Sequence, residues 1–277
     1  MIPITKYNQQ IFKETSRILK LGHYYDSKDR YHDISEKIQV SISNSFIIPE
    51  GYTFDEFLTE KLSLRKGYGE AEKKSIYDKI EITQESTQAA ARRYKENNVK
   101  EVCILNFANG FIPGGGVLDG CTAQEETLCR QSSLYLCLTN QPSMYNYNRK
   151  NSDIHICSDY MIYSPGVVFF RDDEYELVYP VRNHVITSAA VDLRGVEITQ
   201  DILRKTHDIM KKRIRIILQI GVRTQASVLI LGAFGCGAFL NPPEDISQIF
   251  KELLYDEFYG MYFDKIVFPI YGKRGKP

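Results

Sequence analysis

The sequence predicts an α/β fold with a largely parallel or mixed sheet. Three observations carry this. Short apolar runs of strand type occur at residues 99–107 (VKEVCILNF), 227–231 (SVLIL) and 265–270 (KIVFPI). They alternate with helical patterns of roughly ten or more residues, the arrangement that builds a sheet from crossover units. Two of the runs leave through glycine-rich loops that lead into helices, and sheets of this class bind ligands at such strand ends.

The elements follow in order. Residues 5–21 place Ile11, Phe12, Thr15, Ile18 and Leu19 at helical spacing, with Gly22 as the stop. Residues 58–64 form a short segment that fits helix or strand. Gly67-Tyr68-Gly69 reads as a loop before a charged stretch. Residues 76–82 read as a strand, and residues 83–97, rich in Gln, Ala, Arg and Glu, as a helix. Beyond the 99–107 strand, residues 122–138 read as one strong helix. Residues 179–190 contain a strand centred on Val185, Ile186 and Thr187. Residues 199–220 form a long helix stopped by Gly221, and residues 243–259 a helix closed by Gly260. The change of pattern divides the chain into a polar, partly helical N-terminal region, 1–75, and a core, 76–277.

Composition narrows the function classes. A hydrophobic content of 43% with 25% charged residues excludes a disordered or fibrous chain. The 35 Lys and Arg balance the 35 Asp and Glu, so no whole-protein basic field awaits nucleic acid. Lys211, Lys212, Arg213 and Arg215 form a local basic cluster, read as a solvated helix face. No apolar run reaches the ~18 residues of a membrane span. Met1-Ile2-Pro3-Ile4 shows no basic-then-apolar signal pattern, so a cytoplasmic protein without a membrane partner is expected. The six cysteines include no C-x-x-C pair and no histidine at zinc-finger spacing. Cys103, Cys129 and Cys137 sit in apolar segments and read as buried thiols. Neither a metal nor a cofactor is expected.

The first glycine-rich loop, residues 106–117 (NFANGFIPGGGV), removes three consecutive Cβ atoms ahead of a helix. A ligand can then approach main-chain N–H groups closely, which suits a phosphate. The second, residues 232–239 (GAFGCGAF), has the same character, and its aromatic rings offer packing for a ribose or base. Neither loop has the Walker or G-x-G-x-x-G spacing, so nucleoside triphosphates and dinucleotides lose support. The pair suits a ligand with a diphosphate.

Gln124-Glu125-Glu126 opens the helix after the first loop. Thr122-Ala123-Gln124-Glu125 fits a T-x-x-E capping box, with Glu125 reaching back to Thr122, and acids favour a first turn in any case. The capping reading leaves the upstream glycines unexplained. Neighbouring helical side chains diverge by about 100°, so the two carboxylates can address different atoms of one ligand. Glycosidic cleavage needs a carboxylic acid to protonate the leaving oxygen, and a site closed to water raises its pKa.

These residues resemble a known signature. Gly114-Gly115-Gly116, seven residues, then Gln124-Glu125-Glu126 is similar to the motif of poly(ADP-ribose) glycohydrolases. The text around it, and residues 14–24, 161–171, 185–190 and 231–239, resemble the microbial-type branch from about residue 10 to 271. The resemblance implies a three-layer α/β/α macrodomain with a mixed sheet and an N-terminal helical extension. It implies hydrolysis of ribose–ribose bonds from chain ends, because the terminal unit fills a closed pocket. Glu126 would be the general acid, Glu125 would hold ribose hydroxyls and Gln124 would support the site. Gly114, Gly115, Gly116 and Val117 would pack around the scissile ribose and phosphate, with Asn106 and Asn109 as ribose contacts. Gly235, Cys236, Gly237 and Ala238 would bind the diphosphate, and Phe239 would pack on the terminal ribose. The implied partner is poly(ADP-ribose) or an ADP-ribosylated protein, with ADP-ribose as product and the enzyme a monomer. Residues 187–192 (TSAAVD) depart from the family's Pro-containing segment, and Asp119 stands between the two halves of the motif. Two alternatives remain: removal of single ADP-ribose units from an acceptor on the same fold, or a non-catalytic ADP-ribose reader, which would tolerate loss of the second Glu.

Overall fold

The computed structural model describes residues 3–52, 56–63 and 67–270. Helix α1 (Ile4–Leu21) buries Phe12, Thr15, Ile18 and Leu19 on one face. Gly22 ends it at φ 76°, where its N–H meets Ile18 O at 2.8 Å. A hairpin of β1 (His23–Tyr25) and β2 (Tyr31–Asp33) follows, then α2 (Ser35–Ser43) and β3 (Phe46–Ile48). Next come α3 (Glu56–Ser63), α4 (Glu70–Tyr77), β4 (Ile80–Thr83), α5 (Thr87–Glu96) and β5 (Val102–Phe107). After the first glycine loop stand α6 (Gln124–Gln131), α7 (Leu134–Thr139) and α8 (Pro142–Asn151). The long strands β6 (Met161–Arg171) and β7 (Leu177–Ser188) precede α9 (Gln200–Arg223), β8 (Val228–Ile230), α10 (Pro243–Lys251) and β9 (Lys265–Pro269).

Seven strands hydrogen-bond in the order β3-β6-β7-β5-β8-β9-β4. Pairs β3–β6 and β6–β7 are antiparallel, while β5–β8, β8–β9 and β9–β4 are parallel, so the sheet is mixed as expected. The chain forms two compact units. One holds the described residues of Met1–Glu50, Asn106–Asp153 and Cys157–Ala189. The other holds those of Gly51–Leu105, Ile154–Ile156 and Ala190–Pro277.

Several boundaries differ from the sequence reading, each for a local reason. Ile76, expected to open a strand, lies on α4, and the strand starts at Ile80. Glu72 accepts the Gly69 N–H at 2.7 Å, starting that short helix, and Ile76 is fully buried against Gly260. Thr83 pairs with Pro269 in β4, so α5 waits for Ser86, whose Oγ accepts the Ala89 N–H at 2.9 Å. The single helix expected over 122–138 is two. Ser133 N–H donates to Val168 O, and Val168 N–H donates to Ser133 Oγ, both at 3.0 Å, so pairing with β6 interrupts the helix. Gly221 lies inside α9, where a Cβ would meet the Phe263 ring at 3.0 Å; it serves close packing and stops nothing. Helix α10 widens into a π-turn, Glu252–Asp256, and Gly260 sits in the following 3-10 turn. Of the ambiguous segment 58–64, residues 58–63 are helical and Leu64 lies outside the described residues.

Of the basic cluster on α9, expected as a solvated face, Lys212 is exposed and the other three are not. Lys211 bonds Glu252 at 2.6 Å and Arg215 bonds Glu257 at 2.6 Å. Arg213 is 1% exposed and donates to Ile156 O at 3.2 Å. The expected buried thiols Cys103, Cys129 and Cys137 are buried.

Within the first unit, α1 braces the glycine loop. Asn8 Nδ2 donates to Gly120 O at 3.0 Å and Thr15 Oγ1 to Arg130 O at 2.6 Å. Gly120 has φ 77°, and a Cβ there would overlap the Thr5 carbonyl. Gly120→Ala is therefore expected to destabilise the protein by at least the ~1–2 kcal/mol of a left-handed non-glycine residue, read as a fall in the urea midpoint. An unchanged midpoint would show that α1 does not constrain this loop.

Candidate active site

Strand β5 ends at Phe107, and its direction fixes where the loop begins. Gln124 Oε1, at the start of α6, accepts the Phe107 N–H at 2.8 Å, tying helix start to strand end. Asn109 Oδ1 accepts the Phe111 and Ile112 N–H groups at 2.8 and 3.0 Å, an Asx turn that bends the loop. Thus the Asn109 amide oxygen shapes the loop. Its main-chain N–H donates to Glu125 Oε2 at 2.8 Å. Asn106, fully buried, donates from Nδ2 to Glu125 Oε1 at 3.2 Å and to Thr187 Oγ1 at 3.3 Å.

The capping box expected for Glu125 does not form. The N-cap of α6 is Ala123, without a side-chain hydrogen bond, and both Glu125 oxygens are engaged by Asn106 and Asn109. Glu126 is turned toward the glycines: its Oε1 accepts the Gly116 N–H at 2.9 Å. Its Oε2 is buried with no hydrogen-bond partner among the described residues.

Each of the three glycines has its own reason. A Cβ on Gly114, at φ 71°, would meet the Tyr135 ring at 2.8 Å. On Gly115, at φ 55°, it would overlap Glu126 Oε1 and stand 3.2 Å from Glu125 Oε2, so both carboxylates converge there. On Gly116 it would meet Cys121 Sγ at 2.5 Å. Val117, buried, begins the 3-10 turn that closes at Gly120. Burial pushes the Glu125 carboxyl up to about 8, against the hydrogen bonds from Asn109 and Asn106 and with help from the Glu126 charge. Burial was expected to raise the carboxyl that protonates the leaving oxygen; the carboxyl it raises is that of Glu125, expected instead to hold ribose hydroxyls.

Three contributors escaped the sequence reading. Arg130, 1% exposed, lies one turn beyond Glu126 and donates to Cys121 O at 2.6 Å and Tyr175 Oη at 2.8 Å, fixing the loop that enters α6. Thr187 is the polar end of an apolar strand, a signal that was legible. Asn241, in the second unit, is 1% exposed and donates to Val191 O at 2.8 Å and Gly235 O at 3.0 Å.

The second glycine loop belongs to that unit. Gly235, at φ 80°, would bring a Cβ within 2.8 Å of Ala190 Cβ and of Asn241 Nδ2. Gly237 and Ala238 are exposed, and a Cβ on Gly237 would meet nothing within 4 Å. The Cys236 thiol is half-buried, and burial pushes it up to about 11. Phe234 is wholly core, while Phe239 is half-buried beneath the Arg194 guanidinium. Among the described residues no cluster of three or more His, Cys, Asp or Glu side chains offers a metal site, and no helix is long and apolar enough to cross a membrane.

Residues 12–172 match the family model described as microbial-type PARG, catalytic domain. The chain belongs to the microbial-type poly(ADP-ribose) glycohydrolases. It is similar to the poly(ADP-ribose) glycohydrolase of Thermomonospora curvata bound to the inhibitor ADP-HPD, with 31% identity over 98% of this chain and 95% of that chain, and a TM-score of 0.83. The Deinococcus radiodurans poly(ADP-ribose) glycohydrolase in complex with ADP-ribose matches at 32% identity over 86% of this chain and 91% of that chain, with a TM-score of 0.72. No curated protein matches the chain. Both glycine loops and the Gln124-Glu125-Glu126 helix of this glycohydrolase thus stand on an α/β fold shared with solved members of the family.

The raised Glu125 carboxyl has a stability consequence. Its folded-state value of about 8 lies above the ordinary glutamate value of 4.5, so its contribution is full below 4.5 and is lost as pH rises through about 8. Glu125→Gln is expected to flatten the loss of thermal stability over that window. Melting temperatures that fall equally in both proteins across it would contradict this.

Proposed function

We propose that this protein hydrolyses ribose–ribose O-glycosidic bonds of poly(ADP-ribose) from chain ends and releases ADP-ribose, with Glu126 as general acid. The observation that carries the reading is the state of the Glu126 carboxylate. One oxygen is held by the Gly116 N–H and the other is buried and unpartnered, beside a second carboxyl on the same turn. A buried polar atom without a partner is costly, and a substrate oxygen is the partner this chemistry supplies.

In this reading the protonated Glu126 gives its proton to the leaving ribose oxygen as the glycosidic bond breaks. Positive charge develops on the departing sugar carbon and ring oxygen. The Glu126 carboxylate then takes a proton from water as the water oxygen bonds that carbon, restoring the acid. Glu125 and Asn106 hold the ribose hydroxyls; a largely neutral Glu125 both donates and accepts. Gln124 and Asn109 act as positioning residues, since their hydrogen bonds fix the helix start and Glu125. Gly114, Gly115, Gly116 and Val117 bring backbone close to the sugar. Gly235, Cys236, Gly237, Ala238 and Phe239 would take the diphosphate and terminal ribose.

Residues 76–277 are proposed as the catalytic core and residues 1–75 as its extension, with Asn8 and Thr15 of α1 steadying the loop and helix α6. A cytoplasmic, monomeric enzyme is proposed; the buried thiols Cys103, Cys129 and Cys137 suit a reducing compartment.

The test is ADP-ribose release from purified poly(ADP-ribose), followed by chromatography. Glu126→Gln is expected to lower the rate by about 10²–10⁴, with ADP-ribose affinity retained within a few-fold. Equal rates in variant and wild type would remove Glu126 from the acid role. A wild type that binds ADP-ribose yet releases none from polymer, but cleaves single units from a modified protein, would move the substrate to that acceptor. Binding without any turnover would leave a reader.

A further inference from the structure

Residues 192–194 form a compact device that the reaction described above does not use. The Arg194 Nε reaches both Asp192 oxygens at 2.8 and 3.1 Å, and its Nη2 reaches Oδ2 at 2.5 Å. Asp192 is itself fixed on three sides. Its Oδ1 accepts the Arg194 N–H at 3.1 Å, its N–H donates to His155 O at 2.7 Å, and its carbonyl accepts from His155 Nδ1 at 2.9 Å. Leu193, between the pair, donates its N–H to Phe239 O at 2.9 Å. The Arg194 guanidinium then lies over the Phe239 ring, 5.2 Å from the centroid. Leu193 and Arg194 therefore hold Phe239 by its backbone and by its ring, and Asp192 holds the guanidinium.

An exposed ion pair alone contributes little to stability, and the Arg194 side chain is 56% exposed. Its planar fork does something an ammonium cannot, since it pairs edge-on with a carboxylate while stacking on an aromatic face. Phe239 ends the second glycine loop, and the 187–192 segment is where this sequence departs from the family's pattern.

We propose that Asp192 and Arg194 form a clamp that holds the Phe239 ring as a packing platform for the terminal ribose. The proposal rests on the reading of the 235–239 loop as part of the ADP-ribose site. Arg194 is here a positioning residue that acts through Phe239.

The experiment compares Arg194→Met, Arg194→Lys, Phe239→Leu and the Arg194→Met/Phe239→Leu double variant. It reads KM and kcat for ADP-ribose release, the Kd for ADP-ribose, and the melting temperature. Each Arg194 variant is expected to raise KM and Kd by about two- to fivefold, with kcat held, because the stacked contact is lost. The lysine should not rescue. The double variant should be no worse than Phe239→Leu alone, since the guanidinium acts only through the ring. Full rescue by Arg194→Lys, or single effects that multiply in the double variant, would overturn the clamp. If Phe239→Leu leaves both KM and Kd unchanged, the loop reading itself falls. If Phe239→Leu raises them while the Arg194 variants do not, only the clamp falls. A melting temperature lowered by Arg194→Met with KM and Kd unchanged would reduce the pair to a structural contact.

Discussion

The carboxylates of Glu125 and Glu126 converge on Gly115, and the missing Cβ there is the constraint the rest of this unit obeys. Two neighbouring acids buried together repel one another and lose hydration. The fold meets this by giving each a different main-chain donor, Asn109 N–H for one and Gly116 N–H for the other. Both donors come from one loop, so the loop must turn tightly twice. Asn109 makes the first turn with its own side chain, and Gly114 and Gly115 make the second at positive φ. The start of α6 adds a favourable dipole to both acids.

That loop is held from behind by arginines that are themselves buried. Arg130 and Arg171 side chains are almost wholly enclosed, and burying a guanidinium is costly unless its donors find acceptors. Arg130 finds Cys121 O, Tyr175 Oη and Thr127 Oγ1, while Arg171 finds Thr15 Oγ1 at 3.1 Å and Glu14 at 2.7 Å. Tyr175 stands in the turn between β6 and β7 at φ 65°. The same residue therefore stands in a strand hairpin and, through Arg130, holds helix α6.

The parts of this architecture legible in the sequence were those whose signal is local. An apolar run such as residues 102–107 reads as a strand wherever it stands, and three adjacent glycines read as close approach. Gln124-Glu125-Glu126 was visible as an unusual pair, although Thr122 offered a false local explanation for Glu125. What the sequence hid depends on distant partners. Ser132 and Ser133 look helical until β6 arrives to pair with them. Strand β6 itself was not seen because Pro165 and Gly166 interrupt it; the structure absorbs them in a bulge between Ser164 and Val167, with Gly166 at φ 66°. Arg213 looks like surface until Ile156 O is found beside it. Gly221 and Gly260 look like helix stops because the rings and methyls packed on them come from remote segments.

The brace on α1 also sets an order of events at the ribosome. Its side chains find their partners 112, 115 and 157 residues further along the chain, at Gly120, Arg130 and Arg171. Loops of that length cost little more to close than shorter ones, but they cannot close until the far end exists. At ordinary elongation rates the delay is about six to thirty seconds. For that interval the first helix has nothing to brace, and slower translation lengthens the time its apolar face of Phe12, Ile18 and Leu19 spends in water.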